Sequence, residues 1–237
     1  MARTGSATRP RRAKANARAG SLGGRPSRAQ AEKLGERILD AATSLFLSHG
    51  YGATSIEEVA RRARISKRTF YHRFDDKPAL FGAVVHRIVE RLRPPAGAPF
   101  VEGADLAALL EHLAQLILNA ALSPQALALH RLIVGESARF PKLAAVVNAN
   151  GAAEEAVELI AKLLERESRA GKIALDDPSF AARQFLYMIV AIPQRRAMGL
   201  GTPMGAGELR DWPRRVAGLF LEGCRWRPRA ATRKSAR

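Results

Sequence analysis

The sequence predicts an all-α fold in which a small N-terminal helix-turn-helix unit precedes a larger helical body. Three observations carry this. Almost every segment from Ala29 to Cys224 places apolar residues at helical spacing. No short stretch alternates as a half-buried strand must. Two helix-start signals follow one another within residues 53–77.

The elements follow in order. Leu34, Ile38, Ala41, Ala42, Leu45 and Phe46 form one stripe, ended by Gly50 and Gly52. Thr54, with Glu57 three residues on, is a capping-box pattern: the hydroxyl satisfies an orphan backbone N–H and the carboxylate reaches back to the cap. The helix it opens buries Ile56, Val59 and Ala60 and ends near Arg62, because Ser66 is the next strong N-cap and opens a second short helix. With Ala63, Arg64 and Ile65 between them, the two helices make a helix-turn-helix, which presents its second helix to a DNA major groove. Leu80, Val84, Ile88 and Leu92 form the next stripe, stopped by Pro94 and Pro95. Further stripes cover 106–122, 127–138, 153–170, 180–192 and 209–221. Ser123-Pro124, Phe140-Pro141, Ala170-Gly171 and Asp177-Pro178 punctuate them, Gly199 to Gly207 reads as a loop, and Pro193 is expected to kink its helix.

Charge divides the chain further. Of 39 Lys and Arg residues, eight lie in residues 1–28 and six in 225–237, where there is no acid; residues 29–224 hold 25 basic and 22 acidic residues. The excess of +17 is therefore carried by the two ends. This gives a basic disordered arm at 1–28, a helix-turn-helix unit at 29–76, a helical body at 77–224 and a basic tail at 225–237, with the Pro- and Gly-rich segment 93–104 as the best linker. Such ends attract polyanions by counterion release, so a nucleic acid leads as partner, double-stranded DNA once the helix-turn-helix is counted, and an anionic membrane surface is the rival. No apolar run approaches the ~18 residues of a membrane-spanning helix. A single cysteine, Cys224, rules out a disulfide framework and a Cys-based metal cluster. The expected location is the cytoplasm, in association with the nucleoid.

The short second helix has a divided face. Phe70 and Phe74 point inward with Ile65, leaving Lys67, Arg68, Thr69, Tyr71 and His72 outside. A guanidinium able to bond a guanine edge in bidentate fashion, hydroxyls, and aromatic hydrogen bonders are what base reading requires. Spacing alone leaves a second reading open, a solvated basic helix of a packed bundle.

Gly50 to Ala60, Ile65 to Phe74 and Lys77 together resemble the DNA-binding domain of TetR/AcrR-type transcriptional regulators over about residues 30–80. The segment from Leu127 to Leu143, with His130-Arg131, Glu136 and Phe140-Pro141-Lys142-Leu143, resembles an AcrR-like ligand-binding subgroup. The resemblance implies that Thr54 and Lys77 meet phosphates, and that Ser66, Lys67, Arg68, Thr69, Tyr71 and His72 form the groove-facing site. It implies a C-terminal ligand-binding and dimerisation domain whose last two helices, Asp177 to Met198 and Glu208 to Gly223, pair two copies through Phe180, Leu186, Ile189, Leu209, Val216, Leu219 and Phe220. A small, mostly apolar organic effector would sit among His112, Leu116, His130, Val134, Phe185 and Met188, and the helix from Lys77 to Leu92 would transmit its binding. One position departs from the family pattern: Arg64 stands where Gly is usual, and a positive φ there costs roughly 1 kcal/mol. Upstream, Gly23-Gly24-Arg25-Pro26 is placed to let Arg25 enter a minor groove; a solubilising tail is the alternative.

No His-Glu-x-x-His, Gly-x-Ser-x-Gly, phosphate-binding loop or dinucleotide turn occurs, and His49, His72, His86, His112 and His130 show no metal-ligand spacing. The chain is expected to be no enzyme and to hold no metal or cofactor. The expected function is a ligand-responsive repressor that binds a palindromic operator as a dimer. A non-specific nucleoid-type DNA binder without a sensor is the alternative.

Overall fold

The computed structural model describes residues 28–93, 105–149 and 152–225; nearly all of the basic arm, with Arg25, and nearly all of the tail lie outside them. Among the described residues there are ten helices and no strand. They are α1 (Arg28–Ala53), α2 (Ile56–Arg62), α3 (Lys67–Tyr71), α4 (Lys77–Leu92), α5 (Leu106–Ala121), α6 (Pro124–Glu136), α7 (Lys142–Ala149), α8 (Ala152–Arg169), α9 (Pro178–Ala197) and α10 (Ala206–Arg225). Their starts follow ordinary capping chemistry: Asp76, Asp105, Ser123 and Asp177 each accept a backbone N–H three residues on, and proline enters the first turn of α4, α6 and α9. The helix α7 carries none of the expected stripes; it is a short element after Pro141 that buries Leu143.

Two apolar cores organise the helices, and they do not follow chain order. One joins Ile38, Leu45 and Phe46 of α1, Val59 of α2, Phe70 of α3 and Leu80, Phe81, Val84 and Ile88 of α4 to Leu129 and Leu132 of α6 and Leu143 of α7. The other joins α5, α8, α9 and α10 through Leu110, Leu118, Ile160, Leu164, Phe185, Ile189 and Phe220. The helix-turn-helix unit is thus packed on two helices of the body as well as on α4. A buried arginine reinforces this: Arg87 of α4 donates to Asp40 at 2.8 Å and to the Thr43 hydroxyl at 2.7 Å, and pairs with Glu36, all on α1.

Pro193 lies buried inside α9, which runs on through it. Proline has no N–H to offer the carbonyl four residues back. The Trp212 indole of α10 donates to that carbonyl, Ile189, at 2.9 Å, so the orphaned acceptor becomes a tie between α9 and α10.

Candidate nucleic-acid interface

The turn that opens α2 differs from the capping pattern expected at Thr54. Its N-cap is Ser55, whose Oγ accepts the Glu58 N–H at 3.1 Å. Thr54 is only 3% exposed, and its hydroxyl donates to the Gly50 carbonyl at 2.8 Å. The reason is the break in α1: Gly50 takes φ 87° and ψ 165°, which leaves its carbonyl without a helical donor and within reach of the threonine four residues on. The sequence holds the signal in both registers, since Ser55 is followed by Glu58 as Thr54 is by Glu57.

At the other end of α2 the chain turns through Arg64 at φ 55°, the strained conformation expected there. Ile65 N–H donates to the Ala60 carbonyl and Arg64 N–H to that of Arg61, which closes the helix. Ser66 then caps α3: its Oγ accepts the Thr69 N–H at 3.1 Å and lies 2.9 Å from the Thr69 hydroxyl. Beneath α3 the Phe70 ring is fully buried and Phe74 packs beside it, 5.7 Å between centroids.

The outer face of α3 carries exposed Lys67, Arg68, Tyr71 and His72, with Thr69 half-buried at its edge. Tyr71, 51% exposed, lies edge-on to Phe70, so its hydroxyl end is directed by a ring that cannot move. Lys67 forms an ion pair with Glu57 of α2, which lowers the carboxylate's pKa and raises the ammonium's. Glu57, whose spacing from Thr54 predicted a capping-box carboxylate, is thus the acidic partner of this face.

Lys77 is not on this face. Its ammonium donates to the Gly52 carbonyl at 3.2 Å and lies 4.4 Å from the centroid of the Tyr51 ring. Burial pushes its pKa down, and the Glu136 charge acts in the opposite sense. The Thr54 hydroxyl and the Lys77 ammonium are therefore engaged within the protein here, whereas Ser66, Lys67, Arg68, Tyr71 and His72 form one exposed surface with Thr69 at its edge.

The six residues expected around a small molecule divide between core and surface. Phe185 is fully buried against Phe220, with 4.9 Å between centroids; Leu116, His130 and Met188 are half-buried; His112 and Val134 are exposed. Met188 borders an open cleft of about 430 Å³ with Phe180, Gln184, Leu219 and Phe220. The expected dimer seam divides in the same way: Leu186, Ile189, Val216 and Phe220 are buried within the subunit, while Phe180 and Leu219 are 61% and 63% exposed.

A short capped helix with a buried aromatic underside and a cationic, hydroxyl-bearing outer face, set behind a tight turn, defines a helix-turn-helix DNA-binding protein. Known proteins agree. Residues 38–84 match the bacterial regulatory proteins of the tetR family, and residues 108–222 match the C-terminal domain of AefR-like transcriptional repressors. The flavonoid-responsive regulator FrrA is 30% identical, with a TM-score of 0.70 over 84% of this chain and 100% of that one. A TetR-family regulator from Mesorhizobium loti is 28% identical, with a TM-score of 0.65 over 82% of this chain and 98% of that one. An uncharacterised helix-turn-helix regulator of Mycobacterium tuberculosis is 41% identical over 61 residues, which is 26% of this chain and 30% of that protein. The chain belongs to the TetR family of transcriptional regulators. Among the described residues no single helix is long and apolar enough to cross a membrane.

Proposed function

We propose that the protein is a ligand-responsive repressor of the cytoplasm that binds a palindromic operator as a homodimer. The observation that carries this reading is the outer face of α3, where Arg68, Tyr71 and His72 stand exposed above a fully buried Phe70. Arg68 suits a guanine edge, Tyr71 and His72 suit base edges and backbone, and the Ser66 and Thr69 hydroxyls suit phosphate or adenine and thymine. Lys67 joins them once Glu57 releases it. Thr54 and Lys77 act through the position of the turn they hold, and Arg25 follows the minor groove alongside.

One such head covers too little duplex to be selective, so two copies, spaced by roughly 34–36 Å or a multiple of it, are needed. The apolar side chains exposed on α9 and α10, Phe180, Tyr187 and Leu219, support pairing through these two helices. FrrA is described as flavonoid-responsive, which supports a small, mostly apolar organic effector for this chain as well.

Duplexes selected by the full chain from a random pool test the reading. A short palindromic consensus, a footprint over it, a dimer by sedimentation and release by a member of a flavonoid panel are expected. Steep salt dependence with no footprint would instead make the protein a non-specific nucleoid-type binder.

A further inference from the structure

We infer that Glu136 is a positioning residue for DNA binding: from the end of α6 it captures the peptide of Gly52 and so fixes the entry to α2 and α3 on the helical body. The inference rests on the DNA-binding reading of α3 and extends it to a residue 84 positions downstream of that turn.

The Gly52 peptide is held at both ends. Its N–H donates to Glu136 Oε1 at 3.0 Å, and its carbonyl accepts from Lys77 Nζ at 3.2 Å. Residues of α4 and α6 thus hold a single peptide group of α1 directly ahead of α2. The two glycines make the approach possible. A Cβ on Gly50 would lie 2.8 Å from Glu136 Oε1, and one on Gly52 would lie 3.3 Å from the Phe140 ring. The Gly50-Tyr51-Gly52 sequence therefore serves a contact with α6 as well as the break in α1.

Aromatic packing surrounds the clamp. The Phe140 ring, just past α6, stands edge-on to Tyr51 at 5.0 Å, and Tyr51 in turn meets Phe46 of α1 and Phe81 of α4 at 5.6 and 5.3 Å. From Gly52 the link to the recognition helix is short. Thr54 bonds back to Gly50, Ser55 caps α2, and α2 closes directly into the turn before α3. A shift of α6 by the length of a hydrogen bond therefore releases the start of α2, without α4 having to move first.

Within the protein the contact engages only one of the two carboxylate oxygens. Glu136 Oε2 is buried with no hydrogen-bond partner. A carboxylate with one oxygen engaged and the other desolvated and unpaired holds its place less firmly than one fully satisfied.

The test compares the full-length wild type with Glu136→Ala and Glu136→Gln on a duplex that the wild type has selected from a random pool. Glu136→Ala is expected to bind it about tenfold more weakly, the equivalent of one lost hydrogen bond. The dependence of affinity on salt stays unchanged, because no phosphate contact is removed. Glu136→Gln keeps an acceptor for the Gly52 N–H and stays close to wild type. Amide hydrogen exchange gives the readout that needs no DNA: across residues 50–62 it rises about tenfold in Glu136→Ala while α9 and α10 keep their protection.

Wild-type exchange and affinity in Glu136→Ala would overturn the inference. So would a Glu136→Gln protein as weak as Glu136→Ala, which would assign the effect to charge, or a loss of protection throughout the chain, which would make the role general stability. If the wild type selects no duplex, the DNA-binding reading of α3 falls and the exchange result still decides whether Glu136 holds the turn.

Discussion

Two exposed faces among the described residues differ in kind although the packing beneath them is equally complete. Under α3 lies Phe70 and under α9 lies Phe185, both fully buried. Above Phe70 stand Lys67, Arg68 and His72; above Phe185 stand Phe180, Tyr187 and Leu219. Neither face is exposed because its helix packs badly. A cationic face keeps its hydration until a polyanion replaces it, whereas an apolar one is stabilised by any fitting apolar partner. On the proposed function, the contrast separates the face that reads DNA from the face that pairs two copies.

The largest expected effect breaks the apolar side. Leu219→Arg places a charge at the centre of the proposed seam and should weaken pairing by about 2 kcal/mol or more. Sedimentation would then find a monomer at micromolar concentration, and binding to a two-half-site operator would fall with it. A Leu219→Arg dimer as strong as wild type would move the seam off this face.

On the cationic side, Arg68→Ala or Tyr71→Ala should cost about 1–3 kcal/mol at one operator. Here the dimer and the helical circular dichroism stay intact, which distinguishes loss of reading from loss of pairing. If neither variant weakens specific binding in a titration, α3 is not the reading helix.

How much of this was legible beforehand follows from the range of each interaction. The stripes, the caps at Ser66 and Ser123 and the inward Phe70 depend on neighbours within a turn or two, and the sequence displays them; the strained Arg64 was legible only through the family resemblance, which has glycine there. Thr54 misleads because two cap-capable residues stand side by side, and the choice between them was made by the φ of Gly50, which hydrophobic pattern does not encode. The Lys77 ammonium also bonds the Gly52 carbonyl and lies over the Tyr51 ring, contacts across 25 or more residues of chain that spacing does not display. The packing of α6 and α7 on the head, with Leu129, Leu132 and Leu143 in its core, joins segments some fifty or more residues apart in sequence, and periodicity carries no information about which stripe meets which.

The two regions can also be compared through one shared backbone device. The helices α2, α8 and α9 all close alike, with paired hydrogen bonds from Ile65 and Arg64, from Lys172 and Gly171, and from Leu200 and Gly199. At α8 the closure is reinforced by a buried carboxylate. Glu167, 4% exposed, accepts from Lys172 Nζ at 2.7 Å and Arg166 Nε at 3.0 Å. The Lys172 hydrogen bond above all holds its pKa below the ordinary carboxylate value. A depressed folded-state pKa adds stability above the unfolded value and loses it as pH falls through the folded one. Glu167→Gln should therefore lower stability at neutral pH by about 1 kcal/mol and flatten the acid limb below about pH 4.3, measured by urea unfolding from pH 3 to 7. An acid limb identical to wild type would assign that slope to other carboxylates.

The smallest expected effect is the most discriminating, because it sets the head against the body at the same backbone position. Gly171 and Gly199 take φ 72° and 89° as glycine readily does, while Arg64 takes φ 55° with a side chain that disfavours it. Arg64→Gly relieves that strain, worth roughly 1 kcal/mol, but gives the unfolded chain more freedom, which offsets part of it. The net gain should be about 0.5 kcal/mol in urea unfolding. Stability alone therefore favours glycine, and Arg64 is an exposed cation beside the reading helix. If its charge meets a phosphate, Arg64→Gly will bind duplex DNA more weakly across all sequences and lower the salt slope by about one, while preference among sequences stays as it was. A stabilised variant with unchanged salt slope would show that the arginine faces solvent in the complex and that the strain in the head has no return in binding.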